Sequence, residues 1–319
     1  MYPKLSICIP TFNRKAILQD SIQDILDKLN EYNLELCISN NNSNDDTKFY
    51  LDKINLQNKL IKVVHQEENN GLEQNMIDAM KLAQGDFILP IGDDEKINVD
   101  YINVILNELK NDPEILLLNG FHGKDYQLSA EFQNLEFNNP EEAFPILWKK
   151  MQPGAFIVKR DLLFENRYLK YLGTSHAYSG WVLDCLFEKY KRTNKVLIKT
   201  SQAPLITFKQ EVKTWRNNAF KITYYEIPLW LHLLSEKYTV IHDENILKIY
   251  LKKMSSLQTL IYFRLTFNDF DNYIKKFMEH FEQSQKKKAS FIAKIPKAFL
   301  YPYYFGIVYI KKLIKWLIR

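Results

Sequence analysis

The chain has 319 residues, 46% apolar and 25% charged, proportions that suit one large core or two smaller ones and exclude extended disorder. The net charge of +5 is uneven: residues 286–319 carry nine Lys or Arg and no Asp or Glu, so a slightly acidic body ends in a strongly basic tail. This argues against a nucleic-acid-binding protein, which would be basic over a whole face. Three widely spaced cysteines, Cys8, Cys37 and Cys185, form no disulfide framework or zinc pattern and fit a reducing cytoplasm.

Met1-Tyr2-Pro3-Lys4 leads at once into an apolar stretch and shows no signal-peptide pattern. No apolar run reaches the roughly 20 residues that span a bilayer; the longest, 298–310, contains Pro302. Residues 5–9, closed by Pro10, read as a buried strand. Over 15–30, Ile17, Leu18, Ile22, Ile25, Leu26 and Leu29 fall on one helical face. A second strand is predicted at 34–39, a polar turn at 40–46 and a third strand at 60–65. Leu72, Met76, Ala79, Met80 and Ala83 mark another helix face, followed by a strand at 86–91, a helix at 99–110 and a strand at 115–118. Residues 125–139 are polar and read as loop or edge strand. A strand is predicted at 154–158 and a helix at 177–190 that buries Tyr178, Trp181, Val182, Cys185 and Leu186. Residues 204–209 are strand-like, and 217–284 read as mostly helical.

Strands alternating with helices predict an α/β fold with a mainly parallel sheet. Such sheets bind ligands beyond the carboxyl ends of their strands, which selects the polar segments 11–14, 40–46 and 92–95. The last is Gly92-Asp93-Asp94-Glu95. One or two carboxylates at such a place can hold Mg²⁺ or Mn²⁺ against a diphosphate, a hard cation among oxygen ligands that stabilises a leaving group. The alternative is a solvated acidic turn capping the helix that begins near Asn98.

The segments come in a fixed order: Leu5-Ser6-Ile7-Cys8-Ile9-Pro10-Thr11-Phe12-Asn13-Arg14, then Cys37-Ile38-Ser39-Asn40-Asn41-Asn42-Ser43-Asn44-Asp45, then Asn69-Asn70-Gly71 with Asn75 behind it, then Gly85-Asp86-Phe87-Ile88-Leu89-Pro90-Ile91-Gly92-Asp93-Asp94. In this order and spacing the chain resembles family 2 of the glycosyltransferases, which have the GT-A fold. The Gly-Asp-Asp-acid form is similar to abequosyltransferase-like members of bacterial surface-polysaccharide clusters. The resemblance covers residues 3–120 well and 150–190 weakly. It implies that Pro10, Thr11 and Phe12 wrap the nucleotide base and ribose, that Gly71 is the glycine of a donor-binding Asn-x-Gly element, that Asn75 lies near the diphosphate, that Asp93 sits near ribose or phosphate, and that Asp94 is the metal ligand. It further implies a nucleoside-diphosphate sugar donor, UDP above all, an inverting reaction, and a glycan acceptor, with a polyprenyl-linked glycan as the candidate.

Two positions depart from the family pattern. Gly92 replaces the first Asp of the Asp-x-Asp motif. Asn40 stands where the family usually has an Asp reading the base. A carboxylate only accepts hydrogen bonds, whereas an amide also donates, so Asn40 either widens base recognition toward cytosine or is simply a turn residue. Arg14 contacts the diphosphate or is a solvated residue at a helix start. The family's Glu-Asp pair is missing from the segment where its catalytic base lies, residues 173–184. His176, just before the predicted helix, and Asp184, expected on its polar side, are the candidates for the base, the alternative being an acid elsewhere, such as Asp161 or Asp125. Trp215-Arg216 reads as structural.

In 305–319 a helix would set Lys311, Lys312, Lys315 and Arg319 beside Ile310, Leu313, Ile314, Trp316, Leu317 and Ile318. With Tyr301, Tyr303, Tyr304 and Lys286-Lys287-Lys288, that pattern predicts a tail lying in the interface of an anionic membrane. The expected organisation is a GT-A domain over 1–200 (1–120 for the nucleotide sugar, 121–200 for the acceptor), a helical extension over 201–285 and the membrane-associating tail over 286–319. The expected protein is a metal-dependent glycosyltransferase bound peripherally to the cytoplasmic face of the plasma membrane. Its rival is a non-catalytic, membrane-associated nucleotide- or glycan-binding module on the same fold.

Overall fold

The computed structural model describes residues 4–118, 134–208, 218–243 and 245–306, and the chain divides into two units, Met1–Lys213 and Thr214–Arg319. The first unit begins with β1 (Leu5–Thr11), α1 (Lys15–Leu26), α2 (Leu29–Tyr32), β2 (Leu34–Asn40), α3 (Thr47–Gln57), β3 (Ile61–His65) and α4 (Gly71–Lys81). It continues with β4 (Phe87–Pro90), β5 (Glu95–Ile97), α5 (Ile102–Glu108), β6 (Ile115–Leu118), β7 (Glu136–Phe137), α6 (Pro140–Leu147), β8 (Phe156–Lys159), α7 (Ala177–Thr193), β9 (Ile198–Ser201) and β10 (Ile206–Phe208).

One eight-stranded sheet runs in the order β3-β2-β1-β4-β8-β6-β9-β7, and β10 pairs with β5 beside it. The pairs β3–β2, β2–β1 and β1–β4 are parallel, whereas β8 is antiparallel to both β4 and β6. All seven residues of β1 are buried, as expected of a central parallel strand covered on both faces. Ile7, Ile9, Leu36 and Ile38 pack with Leu18, Ile22 and Ile25 of α1 in a continuous core.

The predicted strands all form, with small shifts at their ends, and the helical regions differ more. The face expected over 15–30 is carried by two helices, because the chain turns after Leu26 and α2 closes on Asn33 in the left-handed conformation (φ 52°). The helix predicted over 99–110 is α5 flanked by 3-10 turns at Val99–Tyr101 and Leu109–Asn111. Two helices escape periodicity reasoning. α3 buries only Thr47, Leu51 and Ile54, too few to draw a stripe. α6 is announced by its ends, where the Asn139 side chain accepts the Glu141 N–H and Pro140 opens the helix. The edge strand expected within 125–139 is β7, and residues 119–133, with Asp125, lie outside the described residues. The first unit extends past the expected boundary at 200 because β10 lies against β5, Phe208 opposite Glu95.

The second unit is helical: α8 (Ala219–Lys221), a π-helical turn at Ile222–Glu226, α9 (Ile227–Ser235), α10 (Val240–Asp243), α11 (Ile246–Met254), α12 (Leu257–Thr266), α13 (Phe270–Phe277) and α14 (Gln283–Lys294). Its core is aromatic. Phe220 has the rings of Tyr224 at 4.3 Å, Phe263 and Tyr273 at 5.4 Å and Phe270 at 5.6 Å, offset and edge-on geometries that aromatic quadrupoles favour. α14 runs across the expected boundary at 286 and buries Ala289 and Ile292. Residues 297–306 are helical, and 307–319 lie outside the described residues.

A buried charge locks the first three strands at the end remote from their carboxyl edge. Glu35 of β2 is 1% exposed and accepts hydrogen bonds from the Ser6 hydroxyl at 2.5 Å and the Gly85 N–H at 2.8 Å. It also accepts the Gln84 N–H and pairs with Lys62 of β3 at 2.6 Å. Burial alone would raise the Glu35 carboxyl, but Lys62 and these donors outweigh it and hold it below its ordinary value of 4.5. The stabilisation is therefore present at neutral pH and is lost as pH falls below about 4.5. Glu35→Ala is expected to cost roughly 3 kcal/mol in urea unfolding at pH 7, with the gap to wild type narrowing as pH falls through that range.

Candidate active site

The parallel register sets the site. Thr11 ends β1 directly beside Asn40 at the end of β2, and Asn40 lies beside His65 at the end of β3. β4 ends at Pro90, and the Ile91 N–H donates to the Cys8 carbonyl at 3.0 Å, so Gly92 to Glu95 emerge on the same edge. Thr11, Arg14, Asp93 and Asp94 meet there. The Thr11 hydroxyl donates to Asp93 Oδ2 at 2.9 Å. The two terminal nitrogens of Arg14 straddle the acids, Nη1 on Asp93 Oδ1 at 2.5 Å and Nη2 on Asp94 Oδ2 at 3.2 Å. Asn75 of α4, 2% exposed, donates to the Thr11 carbonyl at 3.2 Å. Its amide oxygen is buried and has no hydrogen-bond partner among the described residues.

The three consecutive acids have three environments. Asp93 is 5% exposed, and burial pushes its carboxyl up to about 6 against the opposing pull of Arg14 and Thr11. Glu95 opens β5. Burial, reinforced by Asp94 and Asp93, pushes its carboxyl up to about 8, although the Gly92 N–H donates to it at 2.8 Å. The Asp94 side chain is 32% exposed. Arg14 engages its Oδ2, while its Oδ1 faces Gly92, where an added Cβ would lie 2.9 Å away. Glycine at the position of the family's first Asp thus leaves room around the exposed acid.

Among the described residues no group of three or more His, Cys, Asp or Glu is arranged to hold a metal ion. Asp94 still suits a divalent cation of the kind that takes one or two carboxylates and completes its shell with phosphate oxygens and water. Its carboxylate is accessible, hard and oxygen-only.

Asparagines join the surrounding loops. Asn41 donates to Asn69 Oδ1 at 2.8 Å and to the Gly71 carbonyl at 3.3 Å, and accepts the Asn70 N–H at 2.9 Å. The Asn13 N–H donates to Ser43 Oγ, and Asn13 Oδ1 accepts the Asn44 N–H, both at 2.8 Å. Gly71 takes φ +81° to start α4. Pro10 is buried in β1, whereas Phe12 is 39% exposed at the mouth of this edge. Asn40 is 1% exposed with both ends of its amide engaged: Oδ1 accepts the Ser43 N–H at 3.2 Å, and Nδ2 meets His65 Nδ1 at 2.9 Å. His65 Nε2 in turn meets Asp52 at 2.9 Å. Asn40 therefore holds the 40–43 turn. Neither Asn13 nor Asn41 stood out in the sequence, because the partners of each lie about 30 residues away.

The candidate bases separate. His176 immediately precedes α7, with Nδ1 3.1 Å from the Thr174 carbonyl. In the tautomer that donates this bond, Nε2 carries the ring's lone pair. Glu73 of α4 holds the same loop, accepting the Gly173 N–H at 2.7 Å and the Ala177 N–H at 3.1 Å. Asp184 does not face solvent as expected. It is 1% exposed and takes Lys170 at 3.3 Å and the Tyr171 hydroxyl at 3.2 Å, so it anchors the 3-10 turn Arg167–Tyr171. Asp161 lies at the wrong end of the sheet, because β8 runs antiparallel to β4 with Lys159 opposite Phe87, the first residue of β4. Asp125 and Trp215-Arg216 lie outside the described residues.

Gly154 packs on this site. Its N–H donates to the Pro90 carbonyl at 2.7 Å, its φ is +73°, and an added Cβ would stand 2.6 Å from Glu95 Oε2. Gly154→Ala is expected to lose roughly 2–3 kcal/mol of stability in chemical unfolding, from left-handed strain and displacement of Glu95 together.

Residues 6–160 match the family described as "Glycosyl transferase family 2". GalNAc(5)-diNAcBac-PP-undecaprenol beta-1,3-glucosyltransferase of Campylobacter jejuni is 27% identical over 168 residues, covering 52% of this chain and 54% of that protein. Abequosyltransferase RfbV of Salmonella typhimurium is 30% identical over 117 residues, 35% of this chain and 34% of that protein. The chain thus aligns with about half, or a third, of the length of these relatives. Among solved structures, S. aureus TarS 1–349 superimposes with a TM-score of 0.60 over 91% of this chain and 90% of that one at 15% identity, and that protein is also solved in complex with UDP-GlcNAc. The structural likeness establishes the GT-A fold. The match to glycosyl transferase family 2 thus spans residues 6–160, from β1 through β8.

Proposed function

We propose that the chain moves a sugar from a nucleoside-diphosphate sugar, UDP being the expected nucleotide, to a hydroxyl of a lipid-linked bacterial surface glycan, with inversion at the anomeric carbon. The observation that carries this reading is the meeting of Thr11, Arg14, Asp93 and Asp94 at the carboxyl edge of β1 and β4. Asp94 would hold Mg²⁺ or Mn²⁺, which when bound supplies positive charge to the departing diphosphate. Arg14 adds a fixed cation on the same side, and Phe12 offers an exposed ring for the base. The acceptor hydroxyl attacks the anomeric carbon as the bond to the diphosphate oxygen breaks, and His176 Nε2 takes the hydroxyl proton. The lipid-linked acceptor is supported by the undecaprenol in the Campylobacter relative's name, and the uridine nucleotide by the UDP-GlcNAc complex of TarS.

The test is nucleotide release from UDP-, dTDP-, GDP- and CDP-sugars with Mn²⁺ or with chelator. One donor is expected to turn over only with metal, with Asp94→Ala losing activity on the order of a hundredfold or more and His176→Ala losing about a hundredfold while still binding donor. Failure of every nucleotide to bind would leave the non-catalytic module in its place.

Membrane association is part of the same proposal. No described helix is long and apolar enough to cross a membrane. Residues 283–306 contain Lys286, Lys287, Lys288, Lys294 and Lys297 and no acid. They also expose Phe291 (65%), Phe299 (74%) and Phe305 (61%) to solvent, the pairing of cations and rings that suits an anionic lipid interface. The chain is expected to co-sediment with phosphatidylglycerol vesicles and not with phosphatidylcholine vesicles, and raised salt should weaken the attachment. Equal binding to both vesicle types, or to neither, would remove the membrane from the proposal.

A further inference from the structure

Arg14 does more than line the donor site. Its two terminal nitrogens are shared between two acids that differ in almost every respect. The contact to Asp93 is the short one, 2.5 Å, on a carboxylate 5% exposed whose other oxygen is held by Thr11. The contact to Asp94 is longer, 3.2 Å, on a side chain 32% exposed that has no second protein donor among the described hydrogen bonds. One end of the clamp is anchored, and the other is exchangeable.

Charge decides what can exchange. In the donor-free protein the guanidinium offsets one of two adjacent carboxylates. A divalent cation arriving alone at Asp94 would stand next to that guanidinium, with three positive charges against two negative ones. A diphosphate arriving alone would face two carboxylates with only Arg14 to receive it. Cation and nucleotide-sugar diphosphate together make three positive charges against four negative ones, which restores the single net negative charge of the donor-free cluster.

We infer that Arg14 is the resident counter-ion of the Asp93–Asp94 pair and yields Asp94 to a divalent cation only when a diphosphate arrives to receive the guanidinium, so that metal and nucleotide bind as a coupled pair. The inference rests on the proposed role of Asp94 as the metal ligand. Arg14 is here a positioning residue that sets the order of assembly. By linkage the effect is reciprocal: nucleotide tightens metal by the same factor as metal tightens nucleotide.

The experiment reads binding and needs no turnover. Mn²⁺ affinity is measured by electron paramagnetic resonance for wild type, Arg14→Gln, Arg14→Lys and Asp94→Ala, each with and without UDP, with UDP–Mn²⁺ in buffer as the blank. In wild type, UDP is expected to tighten Mn²⁺ on the order of tenfold or more. In Arg14→Gln, Mn²⁺ alone is expected to bind about tenfold more tightly than in wild type, and the gain from UDP to shrink to about twofold. Arg14→Lys keeps the charge but cannot straddle both acids, so it should fall between the two. It carries the test if Arg14→Gln shows no cooperative thermal transition. Unchanged or weaker Mn²⁺ binding in the Arg14 variants, or equal wild-type affinity with and without UDP, overturns the inference while leaving Asp94 as metal ligand. Mn²⁺ binding that survives Asp94→Ala, or none in any protein with UDP present, instead refutes the metal assignment and takes this inference with it.

Discussion

The parallel pairing of β1 with β2 on one side and β4 on the other is the constraint on which the site depends. Parallel strands end on the same edge, so Thr11, Asn40 and the Gly92–Glu95 turn are neighbours although up to 84 positions separate them in sequence. The register is held at the opposite edge by the buried Glu35, which takes donors from β1 and from the turn before β4 and a cation from β3. A slip of one strand by a residue would cost this carboxylate its partners. The chain therefore spends one buried charge, far from the chemistry, on keeping the chemistry aligned.

Much of this was legible beforehand, for a physical reason. Buried parallel strands are short apolar runs, and helices between them show a 3.6-residue stripe, so both leave local signals. Asp93 and Asp94 were legible because the acids follow a strand directly. What failed was long-range or weakly patterned. α3 presents three buried residues and no stripe. Asp184 sits on the polar side of a helical wheel, yet the packing of Arg167–Tyr171 over α7 buries it. Asp161 looked plausible until the antiparallel direction of β8 placed it at the far edge; nothing in the strand's own sequence announces direction.

Asn40 shows how a substitution at a recognition position changes meaning in context. Read alone, an amide in place of a carboxylate widens the range of bases it can address. In the folded chain its oxygen and nitrogen are occupied by Ser43 and His65, and the residue is buried. The same neutral stitching recurs at Asn13 and Asn41. Asparagine both donates and accepts, so it closes these loops without adding charge to an edge that already carries Asp93, Asp94 and Glu95.

That restraint matters because the three acids are adjacent and similar charges at such distances raise one another's cost. The fold resolves the conflict by giving each acid a different dielectric and partner. Glu95 is buried and held by the Gly92 N–H, with its carboxyl pushed up to about 8. Asp93 is buried against Arg14 and Thr11. Asp94 alone is left accessible, beside a glycine that clears space for it. A run of three acids in sequence is thus one solvent-facing carboxylate in chemistry, supported by one cation that it shares. Under the proposed function, a site built from one open carboxylate and one shared guanidinium depends on its ligand's own oxygens to complete it, which would suit it to a metal-bound diphosphate and not to a free metal ion.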